Sequence, residues 1–218
     1  MLAIDIIQRD FRHVSITSTV DEALRWMGKY KLKHLPIIKS KAFLSIISEE
    51  TLLSVVPASK LGDLKNDGVR VYVSESDHIL EVAKVMINEE LTILPVLDQE
   101  DTYLGIINIV DLFEAIVEKY GFNTEGSLLV IEMSQQDFHL SELVRILEAE
   151  RIHLFSILVS TENYPNVEIT LKTDMKDINF ILQTLERYSY RVKAYFQDDQ
   201  YHHQLKDRYD SLLSYLNV

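Results

Sequence analysis

Two stretches of this 218-residue chain are versions of one another. Residues 14–38 read VSITSTVDEALRWMGKYKLKHLPII, and residues 73–97 read VSESDHILEVAKVMINEELTILPVL. At a constant shift of 59, Val14 meets Val73, Val20 meets Ile79, Glu22 meets Glu81, Met27 meets Met86, Leu35 meets Leu94 and Pro36 meets Pro95. A one-residue insertion then moves the shift to 60, where Leu44 meets Leu104, Ile46 meets Ile106, Ile47 meets Ile107 and Leu52 meets Leu112. A duplicated unit of this size constrains the fold more than any composition does. It implies two similar lobes facing each other, with two equivalent clefts between them.

Each repeat alternates strand and helix signals. Residues 14–17 are β-prone, and Ser18, Thr19 and Asp21 offer caps for a helix whose apolar face is Val20, Ala23, Leu24 and Met27. Residues 35–38 and 42–47 read as buried strands. A closing helix follows, with Glu49 and Glu50 in its first turn and Leu52, Leu53, Val55 and Val56 behind. The second repeat copies this order: a helix face of Ile79, Val82, Ala83 and Met86, strands over 93–97 and 103–107 with the acidic turn 98–101 between them, and a closing helix over 111–119. Residues 2–7 and 60–64 read as matching lead-in helices.

After residues 120–126, which hold two of the six glycines, the pattern restarts. Strands are expected over 127–133, 155–161, 167–172 and 190–196, with a hairpin turn at 163–166. Helix faces are formed by Leu140, Leu143, Val144 and Leu147, and by Ile178, Ile181, Leu182 and Leu185. The order β-α-β-β-α-β is ferredoxin-like. Leu205, Tyr209, Leu212, Leu213 and Leu216 then form an amphipathic helical stripe, which docks on its own domain or pairs across a dimer.

The chain has no cysteine, which removes disulfides, thiolate nucleophiles and Cys-ligated zinc. It has no apolar run near the roughly 20 residues that span a bilayer, and its N-terminus lacks a signal-peptide layout. A cytoplasmic location is expected. The net charge of −12 argues against nucleic acid and anionic membranes as partners. That charge is uneven: residues 1–59 carry +2, 60–119 carry −8 and 120–218 carry −6. Lys29, Lys31, Lys33, Lys39 and Lys41 are either a solvated basic face or phosphate contacts. No phosphate-loop, dinucleotide, nucleophile-elbow or zincin motif is present, so no enzyme activity is expected. Asp198, Asp199, His202 and His203 come closest to a metal pattern and read as solvated surface, and His13 reads as structural or solvent-facing.

The motifs EALRWM, KHLPII, EVAKVM, TILPVL and GIINIVDLF, repeated in order, resemble the CBS domain, and the pair resembles a Bateman module. The C-terminal third resembles an ACT-like domain, an order also found in proteins similar to acetoin-utilisation protein B. The fold class is therefore α/β (α+β): tandem CBS repeats over 1–59 and 60–119, a linker over 120–126, a ferredoxin-like ACT-type domain over 127–197 and a C-terminal amphipathic helix over 198–218. In the CBS family an adenine nucleotide often sits in the cleft between repeats, its ribose held by a Ser/Thr-x-x-Asp element. The resemblance thus implies AMP, ADP, ATP or S-adenosylmethionine as regulatory ligand and no resident cofactor.

Carried onto this sequence, that element is Asn108 to Asp111, with Gly105 where the ligand approaches the backbone and Val71, Tyr72, Leu94 and Pro95 lining the second cleft. Asp111 is alternatively a plain helix cap, and no Arg or Lys adjoins it in sequence, which argues against a triphosphate. The first cleft, of Ser48, Thr51, His34 and Pro36, is degenerate: Thr51 stands for the Asp, Ser45 for the Gly, and two glutamates repel phosphate. The ACT-like turn 134–139 lacks the family's glycine, so an assembly role is expected there rather than amino-acid binding. Two functions stand open. One is a ligand sensor that regulates a protein partner. The other is a scaffold with decayed sites. The resemblance implies a homodimer through the CBS pairs, with the ACT-like domain as a second candidate contact.

Overall fold

A computed structural model of the chain describes residues 1–11, 14–64 and 67–197. The expected C-terminal helix, the Asp198/Asp199/His202/His203 pattern and His13 lie outside them. The chain divides into two compact units, Met1–Ile116 and Val117–Val218.

Within the first unit the two repeats build matching three-stranded sheets. β1 (Val14–Ser15) pairs parallel with β2 (His34–Lys39), which pairs antiparallel with β3 (Ala42–Ser48). β4 (Val73–Ser74), β5 (Ile93–Leu97) and β6 (Tyr103–Asn108) repeat the arrangement. The registers match: Pro36 lies opposite Ile46, and Pro95 opposite Ile106. β1 is shorter than its β-prone run because the chain bends at once, with Ser18 N–H donating to the Ser15 carbonyl at 2.9 Å. α1 (Val20–Tyr30) starts at Thr19. The Thr19 hydroxyl accepts from Glu22 N–H, and the Glu22 carboxylate accepts from Thr19 N–H at 3.0 Å, a reciprocal capping box. α3 (Ile79–Asn88) is its counterpart.

The closing helices differ. α4 (Ile109–Lys119) runs eleven residues. α2 (Glu49–Leu53) runs five and ends before Val55 and Val56, where a longer helix was expected. The Ser54 hydroxyl donates back to the Thr51 carbonyl at 2.7 Å, and Pro57 disfavours helix just ahead of it.

The lead-ins are single 3-10 turns, Ala3–Asp5 and Leu61–Leu64, and they are exchanged between repeats. Residues 1–8 close on the second repeat: Ala3 N–H donates to the Asp77 carbonyl at 2.8 Å, and Gln8 forms a two-hydrogen-bond bridge with Ile106. Residues 57–64 and 67–69 close on the first: Gly62 N–H donates to the Ile16 carbonyl at 2.8 Å, and Val69 bridges Ile46. Buried side chains follow suit. Leu61 joins the core of Val20, Met27, Leu35 and Leu52, whereas Ala3 joins that of Ile79, Met86, Leu94 and Leu112. Ile38, Phe43 and Ile46 of the first repeat also enter the second core, so the lobes share apolar surface. Each such fully buried side chain contributes about 1.5–3 kcal/mol. This sharing explains why β2 and β5 are apolar on both faces.

The second unit has the ferredoxin-like order expected. β7 (Ser127–Ser134), α5 (Leu140–Ala149), β8 (Leu154–Ser160), β9 (Asn166–Thr173), α6 (Ile178–Arg187) and β10 (Arg191–Gln197) follow in sequence, and the sheet order is β10-β7-β9-β8, all antiparallel. Alternation dictates its core: Leu129, Ile131, Ile169 and Leu171 meet Leu143, Leu147, Ile181 and Leu185.

Candidate functional site

The second cleft is built at the start of α4. Asn108 ends β6, and its side-chain carbonyl accepts from Asp111 N–H at 2.9 Å. Asn108 is therefore the helix cap and Asp111 the third residue of the first turn, which replaces the alternative reading of Asp111 as the cap. The freed Asp111 carboxylate accepts a hydrogen bond from the side-chain amide of Gln8. A cavity of about 620 Å³ opens beside this turn, lined by Asn108 and Ile106, by 7–11 of the exchanged lead-in, by Tyr30 at the end of α1 and by Leu32 beyond it.

Of the expected residues, only Asn108 is in this wall. Asp111 reaches the cleft through Gln8. Leu94 and Pro95 are buried in β5, opposite Ile107 and Ile106, and act as core. Gly105 is buried for a reason other than ligand approach: a Cβ there would stand 2.4 Å from the Gln8 carbonyl oxygen. Val71 and Tyr72 do not line the cavity. They follow Val69, which pairs with Ile46 of the first repeat, and the Tyr72 ring meets Phe43 edge-on at 6.2 Å. Because the lead-ins are exchanged, residues 7–11 take the place expected for Val71 and Tyr72.

The lead-in supplies what the linear reading lacked near Asp111. Arg9 brings a guanidinium into the wall, with Asp10 beside it. Phe11 meets Tyr30 edge-on at 6.0 Å, and Tyr30 stacks flat on Trp26 at 5.3 Å, with the Lys29 ammonium 5.1 Å from the Trp26 ring centre. Aromatic faces beside a cation suit a planar, phosphorylated ligand. One signal in the sequence points here: the shift of 59 pairs Tyr30 with Glu89, and each lines one cleft.

The first cleft, about 550 Å³, is lined by Ser48 and His34 as expected, together with Lys33, Leu53, Glu49, Glu50, Glu89 and Glu90. Thr51 and Pro36 are not in its wall. The Thr51 hydroxyl lies 2.8 Å from that of Ser48, which also accepts from Thr51 N–H at 3.1 Å. His34 joins the two repeats: its Nδ1 accepts from Thr92 N–H at 3.2 Å, which requires the neutral ring. Burial pushes the His34 imidazole below its ordinary value, and neighbouring Lys33 pushes it the same way. Among the described residues no group of three or more His, Asp or Glu side chains is placed to hold a metal ion, and no helix is long and apolar enough to cross a membrane.

A paired β-α-β-β-α fold with clefts at its closing helices defines a class, and comparison with known proteins names it. The CBS domain family matches residues 3–58 and 65–118, half of the chain. The chain belongs to the CBS domain family. It is 28% identical over 122 residues to a homoserine O-acetyltransferase of Methanosarcina acetivorans, covering 55% of this chain and 22% of that protein. The chain spans less than a quarter of the length of the curated relatives it matches. Among solved structures, a CBS domain pair/ACT domain protein from Thermotoga maritima is 25% identical with a TM-score of 0.49, covering 54% of this chain and 98% of that one. A putative acetoin utilization protein (AcuB) from Vibrio cholerae is 22% identical with a TM-score of 0.48, covering 54% and 91%.

Proposed function

We propose that the chain is a non-catalytic regulatory module that binds an adenine nucleotide, or a related adenosyl ligand, in the Asn108 cleft. CBS domains are regulatory and often bind adenosyl ligands. The observation that carries the reading is the convergence, around a cavity of about 620 Å³, of Arg9, the aromatic rings of Phe11 and Tyr30, and the Asn108-capped turn that holds Asp111. That volume is ordinary for a small-ligand site. Asp111 takes the ribose hydroxyls, the rings take the base, and Arg9 pairs with phosphate. With a single guanidinium in the wall among the described residues, AMP and ADP suit the cleft better than ATP.

A second reading is favoured for the first cleft, where four glutamates line the wall and Thr51 stands at the position aligned with Asp111: that half is a scaffold surface with a decayed site. The CBS repeats (1–59 and 60–119) are joined by the 120–126 linker to an ACT-like assembly domain (127–197). The assembly is a cytoplasmic homodimer that transmits ligand occupancy to a regulated protein. Calorimetry with AMP, ADP, ATP and S-adenosylmethionine tests the ligand reading. At least one should bind with a Kd below millimolar, and Asp111→Ala should weaken it by about tenfold or more. Absence of binding sinks the sensor reading. Binding that is indifferent to Asp111→Ala sinks the site.

A further inference from the structure

Gln8 engages two of the positions that the family resemblance assigns to ligand, Gly105 and Asp111. Its backbone carbonyl occupies the space over Gly105, where a Cβ would stand 2.4 Å away. Its side-chain amide donates to the Asp111 carboxylate. Asp111 itself is missing from the cavity wall, whereas Gln8 is part of it. The backbone of Gln8 is already fixed without that amide: Gln8 N–H donates to the Ile106 carbonyl at 2.8 Å and Ile106 N–H donates back at 3.2 Å. The side-chain contact is therefore not needed to place the lead-in. Among the described residues the first repeat has no such contact, since the residue bridging Ile46 there is Val69 and Thr51 stands where the second repeat has its acid.

We infer that Gln8 is an internal competitor for the second cleft. Its amide holds the carboxylate that a ribose diol would otherwise engage, so Gln8 sets the affinity threshold of the site. The inference rests on the reading of that cleft as an adenosyl site. A ligand bearing two vicinal hydroxyls gives Asp111 two donors for the one it gives up, and the amide swings away into the open cavity. The exchange makes the sensor less sensitive than its geometry alone allows. It also separates ligands by their hydroxyls: one lacking a hydroxyl displaces Gln8 with less return.

The test uses Gln8→Met, which keeps length and backbone bridges and removes the donor, with Gln8→Ala beside it. AMP affinity is measured by calorimetry and the unfolding midpoint by thermal denaturation. The expected pattern has opposite signs: Gln8→Met lowers the midpoint, because a bond to a carboxylate is lost, yet tightens AMP about tenfold. 2′-Deoxy-AMP should gain less. A purely structural tie would lower both stability and affinity. If AMP binds the parent protein and Gln8→Met binds it equally or more weakly, the inference is overturned while the cleft assignment stands. If AMP and S-adenosylmethionine bind neither protein, the cleft assignment falls and the inference with it.

Discussion

At the start of α4, Asn108 caps the helix and Asp111 faces a glutamine from the lead-in of the first repeat. At the start of α2, Ser48 caps the helix and Thr51 turns its hydroxyl back to Ser48. The walls diverge likewise. One cleft has Arg9, Phe11 and Tyr30, and the other has Glu49, Glu50, Glu89 and Glu90. A third difference lies where lead-in crosses strand. In the second repeat the glycine is on the strand, Gly105 under Gln8 and Ile7. In the first it is on the lead-in, Gly68, whose Cβ would stand 2.4 Å from the Ile46 carbonyl oxygen and 2.8 Å from the Ser45 hydroxyl oxygen. The crossing demands one glycine and accepts it from either partner. Ser45 in place of glycine is thus a redistribution of a packing requirement, separate from any loss of ligand binding. The carboxylate and the charges around it are where the two clefts part in chemistry.

That comparison breaks most easily at the crossing. Gly105→Ala forces its Cβ against the Gln8 carbonyl and should cost roughly 2–4 kcal/mol. Ser45→Ala at the aligned position removes no such constraint and should cost about 1 kcal/mol or less. Urea unfolding of the two variants checks the contrast, and equal losses would refute it. A middle-sized effect is expected at His34. The folded protein needs the neutral ring, and its pKa is depressed on folding. The unfolded chain therefore binds this proton more readily. The His34 contribution is complete above the unfolded value of about 6.5 and is lost as pH falls through the lower folded value. A thermal midpoint that drops on acidification in the parent protein, and drops less in His34→Leu, is the expected result. The smallest effect sharpens the functional contrast: Thr51→Asp should leave nucleotide stoichiometry at one per chain, because four glutamates still line that cleft. A second binding event in calorimetry would show that the missing aspartate alone disabled it.

Strands, helices and the pairing of repeats were legible because hydrophobic period and a constant shift are properties of neighbouring residues. The ferredoxin-like order of the second unit was legible for the same reason. The site was half legible. Asn108 and Asp111 could be found because they follow a strand and open a helix. Gln8, Arg9 and Phe11 could not, since the pairing that places them, Gln8 with Ile106, spans nearly a hundred residues and QRDF has no periodicity to betray it. Assigning Val71 and Tyr72 to the second cleft follows from supposing that a lead-in serves the repeat it precedes. The exchange of lead-ins reverses that.

The exchange also says what a single repeat lacks. A chain cut between residues 59 and 60 leaves the second half without Ala3 in its core and without Gln8 beside Ile106, and the first half without Leu61 and Val69. Neither half closes on its own. Two copies of one such half, each lending its lead-in to the other, would close as a two-fold pair. The tandem duplication is thus the covalent form of a segment-swapped dimer, and the peptide joining the repeats makes that association independent of concentration.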